Sequence, residues 1–333
     1  MWKKAGWIFI YALIIFLLTE AVLRLPGIKA PVRLYEGIED PDIRWVHTPG
    51  FEGKWGRTEY IRINSQGFRE DREYPFDKPQ DTFRIFAVGE CLIVGDSVVL
   101  KDSFVKQLED MLNKRKPFSG YKNYEVINGG HTQYDEMQKV SFLKKYGLKY
   151  HPDLIIFSHD ISSKFWLEAR ARLRPVSLAL SKLPKNIRSV RYLVFGFENI
   201  VEWGWNVFVI SMRTMLFPDW SADRYAGKGL DNLKIPPALK DLAALSRESH
   251  VPVLVILTPW LENLEEDKYA FQGVHKFYTE ECEKNGLALL DLYGSYFKNK
   301  QAPLFWIKAD NRRPNALSNK IIAEVVYQEL IKR

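Results

Sequence analysis

Two side chains that could attack a carbonyl, Cys91 and Ser97, lie in the stretch from Thr82 to Phe104, TFRIFAVGECLIVGDSVVLKDSF. A cysteine attacks as its thiolate and ionises with modest help. A serine hydroxyl needs a neighbouring base. Glu90, Cys91 and the loop to Lys101 follow a buried-strand pattern, so any active site should be built in part from them. Two of the six histidines, His131 and His159, stand just after other strand-like runs. Each can be read as a base, or as an ordinary loop or hydrogen-bonding histidine. No His, Cys and carboxylate grouping has metal-ligand spacing, and no glycine loop is built to cradle phosphate. We therefore expect neither a metal nor a cofactor. Cys91 and Cys282 are the only cysteines, too few for a disulfide framework.

The elements that must position these residues alternate along the chain. Thr82–Val88 is apolar and β-branched and ends at Gly89, which predicts a short buried strand. Further strands are predicted at Tyr124–Ile127, Leu154–Phe157, Val251–Leu257 and Leu287–Leu290. Phe104–Leu112, Met137–Tyr146, His275–Glu283 and Asn315–Ile331 carry helical apolar spacing. Strands alternating with helices predict a three-layer α/β/α domain around a mostly parallel five-stranded sheet. In such sheets, ligands bind beyond the carboxyl ends of the strands.

The N-terminus has a different character. Lys3 and Lys4 precede a nearly unbroken apolar run, and residues 5–25 read as a transmembrane signal anchor of about the length needed to span a bilayer. The lysines put residues 1–4 in the cytoplasm and the main domain outside it, although Arg24, Lys29 and Arg33 blur the charge signal. Residues 26–81 alternate short apolar pieces with turns, as a lead-in packed on the domain at 82–333 would. Residues 162–248 are too long for an ordinary crossover and combine a basic run, Arg170 to Arg191, with an aromatic one. They read either as a lid touching a bilayer or a membrane-bound partner enzyme, or as a solvated loop followed by buried helices. The net charge is +7 and the pI about 9.1. A basic excess suits an anionic surface or polymer, but no nucleic-acid motif accompanies it.

RINSQGFRE at 62–70, TFRIFAVGE at 82–90, YEVINGG at 124–130 and RPNALSNKIIAEV at 313–325 together resemble the SGNH hydrolase (GDSL esterase/lipase-like) superfamily. The similarity is greatest to its membrane-anchored cell-envelope members and covers roughly residues 58–160 and 250–330. The resemblance implies a serine nucleophile in a Gly-Asp-Ser turn after the first strand. It implies oxyanion donors from that turn, from a glycine after the second strand and from an asparagine after the third. It also implies a histidine base three residues beyond an aspartate. Placed one position at a time, the turn falls on Gly89, Glu90 and Cys91, and the glycine on Gly130. The asparagine falls on Ser162, the aspartate on Asp310 and the histidine on Arg313. The family leaves about thirteen residues between nucleophile and the phenylalanine of the next helix. Cys91 fits that spacing to Phe104, whereas Ser97 lies only seven residues away. The literal Gly95-Asp96-Ser97 thus reads as a loop that imitates the motif, unless residues 91–94 prolong the strand.

With nucleophile, donor and base all altered, the resemblance implies a catalytically degenerate protein. It would be membrane-anchored and extracytoplasmic, binding an envelope polysaccharide, an acylated glycan or a partner enzyme. The alternative is an O-acyl esterase or acyltransferase acting through Cys91 or Ser97, with His159 or His131 as substitute base. Arg313 could lower the Cys91 pKa, or it could pair with Asp310, but it cannot shuttle a proton.

Overall fold

The computed structural model describes residues 2–26, 34–54, 60–132, 134–161, 235–308, 311–332. Helix α1 (Trp2–Leu23) belongs to one compact unit, and residues 34–169 with 219–333 belong to another; each is described by itself. Asp310, Ser162 and the insertion up to residue 234 lie outside the described residues.

In the larger unit, β5 (Thr82–Val88), β6 (Asn123–Asn128), β7 (Leu154–Asp160), β8 (Val253–Thr258) and β9 (Ala288–Asp291) form one sheet in the order β6-β5-β7-β8-β9, and every pair is parallel. The chain starts in β5, steps outward to β6, and returns past β5 to β7. That reversal opens a crevice at the carboxyl ends of β5 and β7. The sheet is buried on both faces, which explains its near-continuous apolar strands. On one side α3 (Phe104–Arg115) packs against α7 (Ala316–Leu330). Elsewhere α4 (Glu136–Lys145) packs against α5 (Ile235–Ser249), and α5 against α6 (Gln272–Asn285). These flanking helices fit a three-layer α/β arrangement. The end of the 162–248 stretch is thus the buried amphipathic helix α5, with Leu239 and Leu242 fully inside.

Local signals account for the helix boundaries. Ser103 caps α3, Asp135 and Gln138 form a reciprocal capping box on α4, and Asn315 accepts from Ser318 N at 2.9 Å to start α7. Two short hairpins precede the sheet: β1 (Tyr35–Gly37) with β2 (Trp45–His47), and β3 (Glu52–Lys54) with β4 (Tyr60–Arg62). Ion pairs fasten this lead-in to the domain. Glu70 pairs with Lys106 at 2.5 Å, and Arg72 pairs with Glu109 at 2.6 Å.

One helix was not legible in the sequence. Cys91–Val94 is a helical turn, α2, closed by Gly95 at φ 66°. It is not an extension of β5. A hairpin of β10 (Trp306–Lys308) and β11 (Asn311–Pro314) leads into α7. In α1, Trp7, Ile10, Tyr11, Leu13, Ile14 and Leu18 are all exposed. Among the described residues, no helix is long and apolar enough to cross a membrane. The side chains of residues 2–6, 8 and 9 are not among those described.

Candidate functional site

Cys91 opens α2 directly beyond β5, at the crevice. It is half-buried and unbridged. Two acidic groups from different elements stand beside it. Asp160, the last residue of β7, accepts the amide of Leu92 at 3.1 Å. Asp96, fully buried, follows the α2 turn. Burial pushes the Cys91 thiol well above its ordinary range. The charge of Asp96 adds to the shift, Arg313 opposes it, and Asp160 and Glu90 reinforce it. Arg313 therefore does pull the thiol downward, as the sequence suggested, but it is outweighed. A protonated thiol is a poor nucleophile. Among the described residues, no hydrogen bond or ion pair joins Cys91 to a histidine.

Arg313 occupies β11. Its ion pair is with Asp96, Nη1 to Oδ2 at 2.9 Å. Asp310, the partner that the sequence suggests, lies outside the described residues; Asp96 is 217 positions away in the chain. Burial raises the Asp96 pKa, while Arg313 and then Arg69 oppose that rise. Burial would lower the Arg313 pKa, but the carboxylate of Asp96 raises it, so the guanidinium stays charged. The guanidinium cannot act as the base that the resemblance would require.

Ser97 faces the same strand. Its Oγ donates to the carbonyl of Pro314 at 3.0 Å. Asp96 and Ser97 together clamp the Gly-Asp-Ser turn to β11. Beneath the turn, Arg69 is fully buried. It donates to the carbonyls of Val94 at 2.9 Å and Val98 at 2.7 Å, and also to that of Gly95. The arginine of the RINSQGFRE block is thus the internal brace of this turn. Nothing in its local pattern marked it for burial.

Gly130 lies behind α2. Its amide donates to Asn128 Oδ1 at 3.1 Å, so it is already committed. A Cβ at Gly130 would stand 2.6 Å from Val94 N, so the position demands glycine to let two backbones meet. His131 is buried between rings, stacked on His47 with centroids 4.3 Å apart and on Tyr134 at 4.6 Å. Its Nδ1 lies 3.2 Å from Gly129 O. Burial, then the charge of His47, holds His131 far below the usual histidine pKa. It serves as a packed core ring, not as a base for Cys91.

His159 and Asp160 are adjacent in β7, so the pleat sends their side chains to opposite faces. Asp160 meets α2. His159 meets Glu136 of α4 through Nδ1 and stacks on Tyr278 of α6 at 4.4 Å. Glu90 joins this second cluster. The buried ammonium of Lys139 lies 3.0 Å from Glu90 and 2.8 Å from Glu136, and it also donates to Ser158 O at 3.2 Å. Burial alone would lower the Lys139 pKa, but the two carboxylates outweigh it and keep the group protonated. Burial alone would raise that of Glu136, but Lys139 and His159 outweigh it and hold the carboxyl well below its usual range. Glu90 is therefore locked in an internal ion-pair network.

Two further arrangements went unnoticed in the sequence. His275 bonds Asp291 through Nδ1 at 2.8 Å and the Tyr269 hydroxyl through Nε2 at 2.9 Å. Trp260 N donates to that hydroxyl at 3.1 Å. The Asp-His-Tyr chain looks like a relay, but burial pushes the Tyr269 pKa far up, and the chain clips the loop after β8 onto α6. A hollow of about 490 Å³, lined in part by His151, Asp153 and His250, opens at the amino-terminal edge of the sheet. Its Asp153 is already committed to Lys78 and to Arg84 N. Among the described residues, no group of three or more His, Cys, Asp or Glu could hold a metal ion.

No protein-family model matches the sequence, and no curated protein matches it. Solved structures with a similar course of chain include a lipase/acylhydrolase from Enterococcus faecalis. That pair shares 12% identity and covers 75% of this chain and 96% of the other, at a TM-score of 0.43. An acetyl xylan esterase shares 11%, covering 74% and 100%, at 0.45. A putative lipolytic protein of the G-D-S-L family from Desulfitobacterium hafniense shares 10%, covering 74% and 98%, at 0.40.

Proposed function

We propose that this chain is an SGNH-hydrolase-like protein that has given up ester hydrolysis and binds carbohydrate of the cell envelope, a polysaccharide or an acylated glycan. The observation that carries the reading is the Arg313–Asp96 ion pair at 2.9 Å. It places a permanently charged guanidinium where the resemblance calls for a base. An arginine cannot take the proton of Cys91 or Ser97 in step with attack. The raised thiol pKa of Cys91 points the same way, as does the commitment of the Ser97 hydroxyl to Pro314 O.

The same reading places α1 in a membrane, with Lys3 and Lys4 in the cytoplasm and the α/β domain outside. Its support is the exposure of large apolar side chains along α1 and the two lysines before them. A membrane-bound partner enzyme contacting residues 162–248 belongs to this proposal as well.

The test is an esterase assay on the full chain in detergent micelles, with acetylated oligosaccharides and simple acyl esters. No turnover above buffer is expected. Turnover abolished by C91A or by S97A would overturn the reading and establish the hydrolase alternative. Protease protection of the domain in intact cells, lost on permeabilisation of the outer barrier, tests the orientation.

A further inference from the structure

The hollow of about 490 Å³ lies where the neighbouring strands β7 and β8 begin, at the end of the sheet opposite Cys91. It is open to solvent, and its walls are the turns that lead into those strands, within residues 148–153 and 249–251. Each turn follows a helical stretch and carries a left-handed residue, His151 at φ 49° and His250 at φ 56°. Helix ends of this kind usually take glycine or asparagine. Here both take an imidazole, both are exposed, and both line the hollow. Among the described residues, neither ring has a hydrogen-bond or ion-pair partner. A neutral imidazole offers one donor and one acceptor, the complement of a hydroxyl. Asp153 brings no net charge to the wall, because Lys78 pairs with it and Arg84 N donates to Oδ2 at 2.7 Å.

An exposed aromatic ring stands beside the same turn. Phe76 is 54% exposed, and its ring centroid is 4.9 Å from that of Tyr150, the residue before His151. The buried side chain of Arg84 fixes this edge, with Nη1 donating to Phe76 O at 3.3 Å and to Tyr150 O at 2.7 Å. Two residues on, Lys78 reaches Asp153 on the wall. An apolar ring face thus stays in water next to a polar, open cleft.

We propose that this hollow binds a neutral carbohydrate, with one sugar ring laid on Phe76 and its hydroxyls bonded to His151 and His250. The proposal rests on the carbohydrate-binding reading above and places a contact at the end of the sheet opposite the crevice. A pyranose has an apolar C–H face for the phenyl ring and a rim of hydroxyls for the imidazoles. Ser249 Oγ already donates to Leu245 O at 2.7 Å, and it can still accept. An anion would meet Asp153 on the wall. An apolar ligand would strip water from the imidazoles and the serine without replacing their hydrogen bonds. The volume falls within the range of about 300–1,000 Å³ typical of small-ligand clefts.

Equilibrium dialysis tests the site, using the full chain in micelles of a detergent without a sugar headgroup and cellopentaose and mannopentaose as probes. Wild type should bind at least one of them. F76A should bind it several-fold more weakly, up to about tenfold, the worth of an aromatic face. H151N and H250N keep residues that tolerate the left-handed backbone, and each should lose roughly fivefold, the worth of one hydrogen bond. Saturating probe should also slow carbethoxylation of His151 and His250 by diethyl pyrocarbonate, read at the peptide level. The buried His47, His131, His159 and His275 serve as internal controls. Should a variant fail to fold, that protection measured on wild type decides the matter. Undiminished binding by F76A and both histidine variants, or unprotected histidines in a protein that binds the probe, overturns the site and leaves carbohydrate binding standing. Binding of neither probe by wild type overturns the site and the carbohydrate reading together. Ester turnover in the assay above would instead remove the non-hydrolytic reading, and the dialysis result would still decide this site.

Discussion

The Nη1 of Arg313 donates to Oδ2 of Asp96 at 2.9 Å, joining β11 to the turn after α2 across 217 residues of chain. The carboxylate is fully buried and the guanidinium half-exposed. Removing the arginine leaves an interior charge with only Arg69 nearby. R313A should therefore destabilise the domain by roughly 3 kcal/mol, the low end for orphaning a buried ion. In a double-mutant cycle, adding D96N should recover much of that loss. Chemical denaturation of the four proteins measures it, and strictly additive losses would contradict the pair.

R313H tests the chemistry from the other side. It restores the residue type that the resemblance expects, yet it leaves Asp96 buried and Cys91 in an anionic setting. No esterase activity should appear with p-nitrophenyl acetate, alone or combined with C91S. A gain of turnover above background would show that the base alone was missing.

Cys91 should be a sluggish thiol. Burial together with Asp96 raises its pKa, so iodoacetamide at pH 8 should modify it at least about tenfold more slowly than glutathione. D96N removes the largest of the charges acting on it and should accelerate the reaction. Rapid modification of the wild-type residue at neutral pH would contradict the geometry described for α2.

Lys139 holds two buried carboxylates at once. K139M should cost about 3–5 kcal/mol, because Glu90 and Glu136 are then left facing each other in the interior. The triple variant E90L/E136L/K139M should recover most of that cost. Unchanged melting of K139M would exclude the network as drawn.

The His47–His131 stack predicts an acid-sensitive contribution to stability. Burial lowers His47 from 6.5 to about 4, so between those values the unfolded chain binds a proton that the folded chain refuses. Stability from neutral burial is thus present above about 6.5 and lost as the pH falls through the window, by up to roughly 3 kcal/mol. Glu70 acts in the opposite sense, because burial pushes it up to about 7 and its protonation then favours the fold over part of the same range. The informative quantity is therefore the difference between wild type and H47F. On going from pH 7.5 to pH 5 the melting temperature of H47F should fall less, or rise more, than that of wild type, and identical signed changes would exclude His47 as a contributor.

The alternation of strands and helices, the turn beyond Thr82–Val88 and the place of the crevice were legible in local sequence. Apolar periodicity and capping residues act over a few positions, so neighbours in the chain suffice to read them. Spacing to Phe104 also separated Cys91 from Ser97, which agrees with strand β5 ending at Val88 and residues 91–94 turning into α2. Tertiary structure alone decided the partners. That Arg313 meets Asp96, that Arg69 braces the carbonyls of 94–98, and that His159 turns to Glu136 while Asp160 turns to Leu92 depend on elements distant in the chain. The face on which a buried side chain lies is set by the pleat, but the charge waiting there is set by packing. The chain's capacity for chemistry was therefore readable as a list of residue types, whereas the pairing of Arg313 with Asp96 depends on packing between elements distant in the chain.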